Sequence, residues 1–485
     1  MQEASLRSVR RRPSARLRTK TGCFKCRERR KKCDELRPVC SGCSRNGLSC
    51  RWPGTQSTST SPNSTRSRSP GSLVTTSSRC PSPENVLFDK WGVDALQSPR
   101  ACKLFEYYRS AVQPHLIRSH AHPIYFSSGW FIHGALQHSV LMDALLACSA
   151  VHLSCFYPEY RLTAIEFYSQ AVSTTREQLE KKRLKGTEDW LIMLLVLAYL
   201  VEIWFFDDLR SIKRHLEAAS HILHSRQLSF QRQELIPDHS FERLIAESIL
   251  YNTSAVAMLM PESCDISFSV VSTHLDLFSS PGNQSNRLCE SPLLGVSPEL
   301  YFLVVEVSRL GLQAPSERGL EAANKLAARF STWRENFMLE NNDGGNNNNN
   351  PDPKFILGIR LYIFAIELLL SKLTERRQSA YAQLLVVAAT EIIGKMGSYV
   401  ESALCMDYYV WPLLIIGSAA KGQEECVDVV RRKMEDVMRT AGSGGVKMVI
   451  NLLGRVWDFE GEGDDGLEVL LRTGRQDILR PSMPS

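Results

Sequence analysis

Between residues 99 and 439 apolar positions recur every three or four residues, the spacing that puts them on one face of an α-helix. Segments with this period run over 99–112, 139–155, 160–184, 190–206, 208–225, 241–260, 298–312 and 320–338, then 355–375, 378–396, 409–420 and 423–439. They do not alternate with strand-like runs as a parallel sheet would require. The expected fold class is therefore mainly α, dominated by one large all-helical domain. The longest apolar run, WLIMLLVLAYLVEIWFF at 190–206, contains Glu202 and is bounded by Asp189 and Asp207. A bilayer span needs about 20 apolar residues, so this run reads as a core helix and no membrane partner is expected.

Ahead of residue 87 that pattern is missing. Residues 54–86 are a Ser/Thr/Pro-rich linker, too poor in apolar side chains to offset the entropy of ordering it. Residues 1–20 read as a disordered basic arm with Arg10, Arg11, Arg12, Arg16, Arg18 and Lys20, suited to phosphates or to a nuclear import receptor. The arm has no apolar core of the kind a secretory leader carries, and Pro13 interrupts any amphipathic presequence. The helical domain is expected over 87–459, interrupted by a loop insert at 341–353, NNDGGNNNNNPDP. Residues 460–485 follow as a tail with one short helix near Leu467 to Leu471. Charge sharpens the division. The chain carries +6 overall, but residues 1–54 hold sixteen Lys or Arg against four Asp or Glu. A basic end on a mildly acidic body calls for a polyanion at that end alone.

The same end holds the densest candidate chemistry. Of fourteen cysteines, six fall at 23, 26, 33, 40, 43 and 50, and the pattern Cys-x2-Cys-x6-Cys occurs twice, displaced by 17 residues. Thiolates suit tetrahedral zinc, which takes four ligands. Two separate zincs would need eight sulfurs, so two metals require two bridging thiolates, and the repeat nominates Cys23 and Cys40. One zinc would take Cys23, Cys26, Cys33 and Cys40, the other Cys23, Cys40, Cys43 and Cys50. The alternatives are one four-cysteine site with two spare thiols, or a disulfide framework. Between the first ligands, Phe24 to Lys31 lacks Gly and Pro and is expected to form about two helical turns. Lys25, Arg27, Arg29, Arg30, Lys31 and Lys32 ring those turns with donors for a nucleic acid. Asn46-Gly47 is a stop for a second short helix over 41–45.

These residues resemble the fungal zinc binuclear cluster family of transcription regulators over roughly 20–53: the six cysteines, the basic run Arg27 to Lys32, Asp34 and Pro38. HSVLMDALLACSAVHLS, RHLEAASHIL and YVWPLLIIGSAAKG in the helical part look like pieces of the fungal-specific transcription factor domain. The resemblance implies a DNA-binding domain at 21–53 with two Zn2+ per chain, followed by a helical regulatory domain. It implies a nuclear, sequence-specific regulator of RNA polymerase II genes that reads CGG-like half-sites in double-stranded DNA. Arg29, Arg30 and Lys32 would stand at base or nearby phosphate positions, Lys25 and Arg27 at phosphates. Arginine pairs bidentately with guanine O6 and N7, which suits a GC-rich site. The alternative is a zinc-containing nuclear scaffold without sequence-specific binding. Many relatives carry a leucine-heptad coiled coil after the cluster; here no such repeat lies between Arg51 and Arg100. A homodimer would then form through the helical domain; the alternative is a full-length monomer on a single asymmetric site.

No Walker loop, HExxH or Gly-x-Ser-x-Gly elbow occurs, and an enzyme is not expected. His215, His221 and His224 share one helical stretch without a completing carboxylate or cysteine. Cys148, His152 and Cys155 share one face, in apolar company that suits core thiols. Trp190, Tyr199, Trp204, Phe205 and Phe206 mark a well-buried helix by composition; the resemblance, whose family includes ligand-regulated domains, implies that they could line a pocket for a small-molecule effector.

Overall fold

The computed structural model describes residues 23–29, 31, 33–34 and 40–46 near the start of the chain. Further on it describes 96, 98–118, 121–127, 129–205, 209–235, 237–259, 268–277, 291–342, 353–375, 380–396, 408–461 and 465–475. The basic arm, the linker, most of the Asn-rich insert, Arg30, Lys32, Cys50 and Phe206 lie outside these residues. The chain divides into two compact units, 1–82 and 83–485.

The first unit contributes two short helices, α1 (Phe24–Glu28) and α2 (Ser41–Ser44). Helices of so few residues do not recover the cost of nucleation by themselves. The buried hydrophobic cluster here, among the described residues, consists of sulfur: Cys23, Cys26, Cys33, Cys40 and Cys43.

The second unit is helical throughout, with no strand among its described residues. It opens with α3 (Pro99–Tyr107), which passes into a π-helical turn (Tyr108–Val112) and a 3₁₀ turn (Gln113–His115). Then follow α4 (Ile124–Ser127), α5 (Trp130–Gln137), α6 (Ser139–Ser154), α7 (Arg161–Glu180), α8 (Asp189–Phe205), α9 (Leu209–Gln231), α10 (His239–Val256) and α11 (Phe268–Leu277). The second half comprises α12 (Glu299–Leu312), α13 (Glu317–Asn342), α14 (Pro353–Glu375), α15 (Ala380–Lys395), α16 (Val410–Ala419), α17 (Glu424–Ala441), α18 (Gly444–Trp457) and α19 (Gly466–Arg475).

Three helices are apolar nearly all round and sit inside, as that pattern requires. The first, α6, is buried from Ala144 through His152 and packs on α3, α5, α7 and α8. The second, α8, covers 190–205 of the long apolar run and buries most of it, from Trp190 to Trp204. The third, α16, has all ten residues buried among α14, α17, α18 and α19. Pro412 is tolerated because it lies in the first turn, where helix N–H groups lack intrahelical acceptors. Between the halves runs α10, in contact with α8, α9, α11, α12 and α16. Its start is set by Asp238, whose carboxylate accepts the N–H groups of Ser240 and Phe241 at 3.0 and 3.2 Å. Such an N-cap satisfies donors that no helical carbonyl can reach.

Two buried carboxylates on α10 fasten its surroundings. Glu242 is ion-paired to Arg226 of α9 and accepts from His274 of α11 at 2.9 Å, all three fully or almost fully buried. Arg226 also reaches Asp189 at the start of α8, at 2.8 Å. Burial opposes ionisation of Glu242, but His274 and Arg226 outweigh it and hold its pKa below the ordinary value. Glu247 accepts from Ser291 Oγ at 2.7 Å and from the N–H groups of Leu293 and Leu294 at 3.0 and 3.1 Å. These bonds pin the loop before α12, where Gly295 adopts φ +67 and a Cβ would meet Phe355 at 2.4 Å.

Four helices were not expected from the periodicity: α4, α5, α11 and α18. Gly134 interrupts the apolar pattern of α5, yet a Cβ there would meet Leu141 at 2.6 Å, so glycine permits close packing on α6. The sequence of α11, FSVVSTHLDL, is rich in β-branched and hydroxyl residues that favour strands or turns, and contacts with α9 and α10 override that preference. Two glycines at the start of α18 read as a loop. Packing also continues beyond Phe459, into the stretch expected as a tail. There α19 buries Leu467, Val469, Leu470 and Leu471, while Lys372 of α14 reaches Asp465 at 2.8 Å and Glu468 at 3.1 Å.

Candidate metal centre and nucleic-acid interface

The two halves of the cysteine repeat fold alike. In each, the first cysteine caps a short helix and its sulfur accepts the backbone N–H of the second. Cys26 N–H donates to Cys23 Sγ at 3.4 Å to open α1, and Cys43 N–H donates to Cys40 Sγ at 3.4 Å to open α2. A Cys-x2-Cys spacing achieves this because the third residue of a helix returns its N–H to the cap. Asp34 ties the halves together: its two carboxylate oxygens accept the Ser41 N–H at 3.2 and 3.1 Å.

The sulfurs of Cys23, Cys26, Cys40 and Cys43 lie within 4.8 Å of one another and are buried. Cys23 stands 3.7 Å from Cys40 and 3.6 Å from Cys43, and Cys26 stands 3.5 Å from Cys40. Sulfurs about 2.3 Å from one tetrahedral zinc are separated by about 3.8 Å. The observed spacings are therefore close to those of thiolates sharing a metal, and the donor set fits zinc. Cys33 joins the group on the other side, within 4.8 Å of Cys40 and of a carboxylate oxygen of Asp34. Cys50 is outside the described residues. Cys23 and Cys40 each interact with both Cys26 and Cys43, and Cys26 interacts with Cys23, Cys33 and Cys40.

Burial opposes ionisation of Cys23, but the Cys26 N–H and the neighbouring thiols outweigh it and lower its pKa. Cys40 is lowered in the same way, chiefly through the Cys43 N–H. Cys26 goes the other way, raised by burial and by the sulfurs around it.

Of the six expected nucleic-acid donors, Lys25, Arg27, Arg29 and Lys31 are described; Arg30 and Lys32 are not. Arg27, Arg29 and Lys31 are exposed and Lys25 is half-buried. Arg27 lies 5.9 Å from the centroid of the exposed Phe24 ring. The helix beneath them is shorter than the sequence suggested, closing at Glu28 rather than Lys31. Its winding persists for one more turn, with Arg29 N–H to Lys25 O at 3.1 Å and Lys31 N–H to Cys26 O at 3.0 Å. The chain then returns to bring Cys33 to the sulfur group. A row of cations therefore faces outward from a sulfur-filled interior.

Elsewhere the candidate ligands serve packing. Cys148 donates to the Leu197 carbonyl at 3.3 Å, and burial pushes its thiol pKa up. His152 Nδ1 pairs with the Tyr107 hydroxyl at 2.8 Å, and Cys155 bonds the Val151 carbonyl at 3.5 Å. His215 meets the Tyr168 hydroxyl at 2.9 Å. Among the described residues, clusters with metal-binding geometry occur only in the first unit. Of the aromatics expected around a pocket, Tyr199 and Trp204 line a cavity, Trp190 stacks on His138 and Phe205 lies under Arg161. No single described helix is long and apolar enough to cross a membrane.

Comparison with known proteins yields two domain matches. Residues 21–59 match the fungal Zn(2)-Cys(6) binuclear cluster domain, and residues 103–466 match the fungal specific transcription factor domain. Relatives include the Zn(2)-C6 fungal-type transcription factor afumD of Aspergillus fumigatus, 32% identical over 148 residues, which are 30% of this chain and 35% of that one. The aspercryptin biosynthesis cluster-specific transcription regulator atnN of Emericella nidulans is 25% identical over 249 residues, 47% of this chain and 39% of its own length. The transcriptional regulatory protein pro1 of Neurospora crassa is 54% identical over 35 residues, 7% of this chain and 5% of its own. The chain thus spans well under half the length of these relatives. No solved structure matches.

Proposed function

The chain belongs to the family of fungal Zn(2)-Cys(6) transcription factors, a non-catalytic and characteristically nuclear family, and on that premise we propose that it is a sequence-specific DNA-binding regulator of RNA polymerase II genes. Two Zn2+ per chain would be held by Cys23, Cys26, Cys33, Cys40, Cys43 and Cys50, with Cys23 and Cys40 shared between them. The observation that supports this reading is the gathering of buried sulfurs from both halves of the repeat, with Cys23 and Cys40 3.7 Å apart. The bound metals would supply structural cross-links. The chain's own residues would do the reading.

On this account Arg29, Arg30 and Lys32 approach a GC-rich, CGG-like half-site in the major groove, Lys25 and Arg27 hold phosphates, and Lys31 adds a further donor to the DNA. Phosphate contacts give affinity and register; base contacts give sequence preference. The basic arm at 1–20 adds nonspecific attraction and serves an import receptor. The domains follow the limits 21–53 for the reader and 54–86 for the linker, and the regulatory body runs from 87 past 459 to include α19. A homodimer would form through the body, and α7 offers a surface for it. Leu162, Ile165, Val172 and Leu179 are exposed on one side of that helix. Ile165, Val172 and Leu179 recur every seven residues, the repeat by which two copies of a helix interlock.

A mobility-shift titration of the zinc-loaded full chain tests the reading. A GC-rich duplex should resist competition by scrambled duplex at physiological salt. Equal competition by both would favour a zinc-containing scaffold instead.

A further inference from the structure

The helical body contains a cavity of about 80 Å³ between the irregular segment after α3, helix α8 and helix α10. One water takes about 10–15 Å³ on this measure, so there is room for about six waters or for one small ring-bearing molecule. Its walls are regular faces of two core helices. From α8 come Val196, Tyr199, Leu200, Ile203 and Trp204; from α10 come Leu244, Ser248, Tyr251, Asn252 and Ala255. Among the described residues no charged side chain lines it.

Three polar side chains on these walls stand out. The Tyr108 hydroxyl is fully buried and has no hydrogen-bond partner among the described residues. Ser248 and Asn252, one turn apart on α10 and almost fully buried, form no side-chain hydrogen bond among the described residues. Buried polar groups are normally satisfied, because leaving one unpaired forfeits its hydration without return. The backbone departs from regular helix at the same place. Tyr108 begins the π-helical turn and Gln113, another lining residue, begins the 3₁₀ turn. Such interruptions of a helix recur at functional sites.

From the convergence of these groups on an aromatic, uncharged cavity we infer that it is a binding site for a small neutral molecule bearing a ring and a hydrogen-bonding group. The ring would lie among Tyr199, Trp204, Trp130 and Tyr251; the polar group would meet Asn252, Ser248 and the Tyr108 hydroxyl. A charged ligand is disfavoured because nothing on the walls would compensate its desolvation.

The test is ligand-observed NMR titration of the zinc-loaded full chain with three probes: p-cresol (ring and hydroxyl), toluene (ring alone) and benzoate (ring and charge). p-Cresol should bind saturably, toluene should bind roughly three- to tenfold more weakly for want of one neutral hydrogen bond, and benzoate should not bind. Asn252→Leu should bring p-cresol down to the level of toluene. Ala255→Trp, which fills the space, should abolish binding of both. Ser248→Leu provides a second filled variant if the first does not fold, with folding verified by thermal unfolding. Tyr108→Phe separates binding from packing: it should weaken p-cresol while leaving the melting temperature of the free protein level or higher. Saturable binding that survives in a folded filled variant would overturn the inference. So would the absence of any saturable p-cresol binding, which would assign the cavity to water.

Discussion

The two units of this chain solve the same problem, holding helices in place, by different means. In the zinc unit, helices of five and four residues stand on a core of sulfur. In the body, helices of up to 26 residues bury aliphatic and aromatic side chains, and ionised groups are fastened inside by partners. A unit with almost no apolar core cannot fold on burial alone, and small domains of this kind rely on metals or disulfides. Among its described residues the body shows neither a cluster with metal-binding geometry nor a disulfide. The consequence is a division of vulnerability: metal ligation decides the state of one unit, and packing decides the other.

Chelation should break the comparison most severely. Removing zinc with a strong chelator is expected to abolish DNA binding entirely, because ligand binding energy is folding energy in such modules. The thermal unfolding of the body, followed by far-UV circular dichroism, should stay where it was. A large fall in that transition would mean that the body also depends on metal.

The reverse experiment targets Glu242. Replacing it by Gln leaves Arg226 buried without its full partner, a change that typically costs about 3–5 kcal/mol. The melting temperature of the body should drop while zinc content is unchanged. The pH dependence follows with a definite sign. The folded pKa of Glu242 is depressed below its ordinary value of 4.5. Its contribution is therefore complete above that value and is lost as pH falls through the depressed folded value. Between neutral pH and acid, wild type should lose more stability than Glu242→Gln.

Smaller effects are expected at the DNA interface. Arg30→Ala and Lys32→Ala should each cost about 1–3 kcal/mol on the preferred duplex if they contact bases, and much less on a scrambled one. Substitutions at Arg10 to Arg12 should weaken both duplexes alike and reduce the salt dependence. Equal losses on both duplexes for Arg30 and Lys32 would move the base contacts elsewhere. The mildest change concerns assembly. Val172→Glu together with Leu179→Glu should shift sedimentation of the full chain from dimer toward monomer at micromolar concentration, with zinc content unaltered. An unchanged dimer would exclude the α7 face.

How much could be read in advance divides along the same line. The sulfur site was legible because metal ligation is local: Cys-x2-Cys marks a helix cap and its first turn, and the repeat after 17 residues marks the second half. The role of Asp34 in accepting the Ser41 N–H was not, since it depends on how the halves meet. In the body, helices with strong amphipathic or apolar patterns were legible nearly to their ends. Those whose local preferences run against helix, α5, α11 and α18, were not. Arg226, Glu242 and His274 are separated by 16 and 32 residues, and no spacing rule announces that they meet. The cavity falls between. Tyr199 and Trp204 were conspicuous as aromatics, but Tyr108, Ser248 and Asn252 look ordinary until their burial is known.

The most direct test of a unit built on shared sulfur is native mass spectrometry of the full chain, combined with thiol labelling of residues 23–50. The bridged arrangement predicts two zincs per chain and none of the six cluster thiols freely reactive. Cys23→Ser or Cys40→Ser should lose both metals together. One zinc per chain with two freely reactive cluster thiols would contradict it.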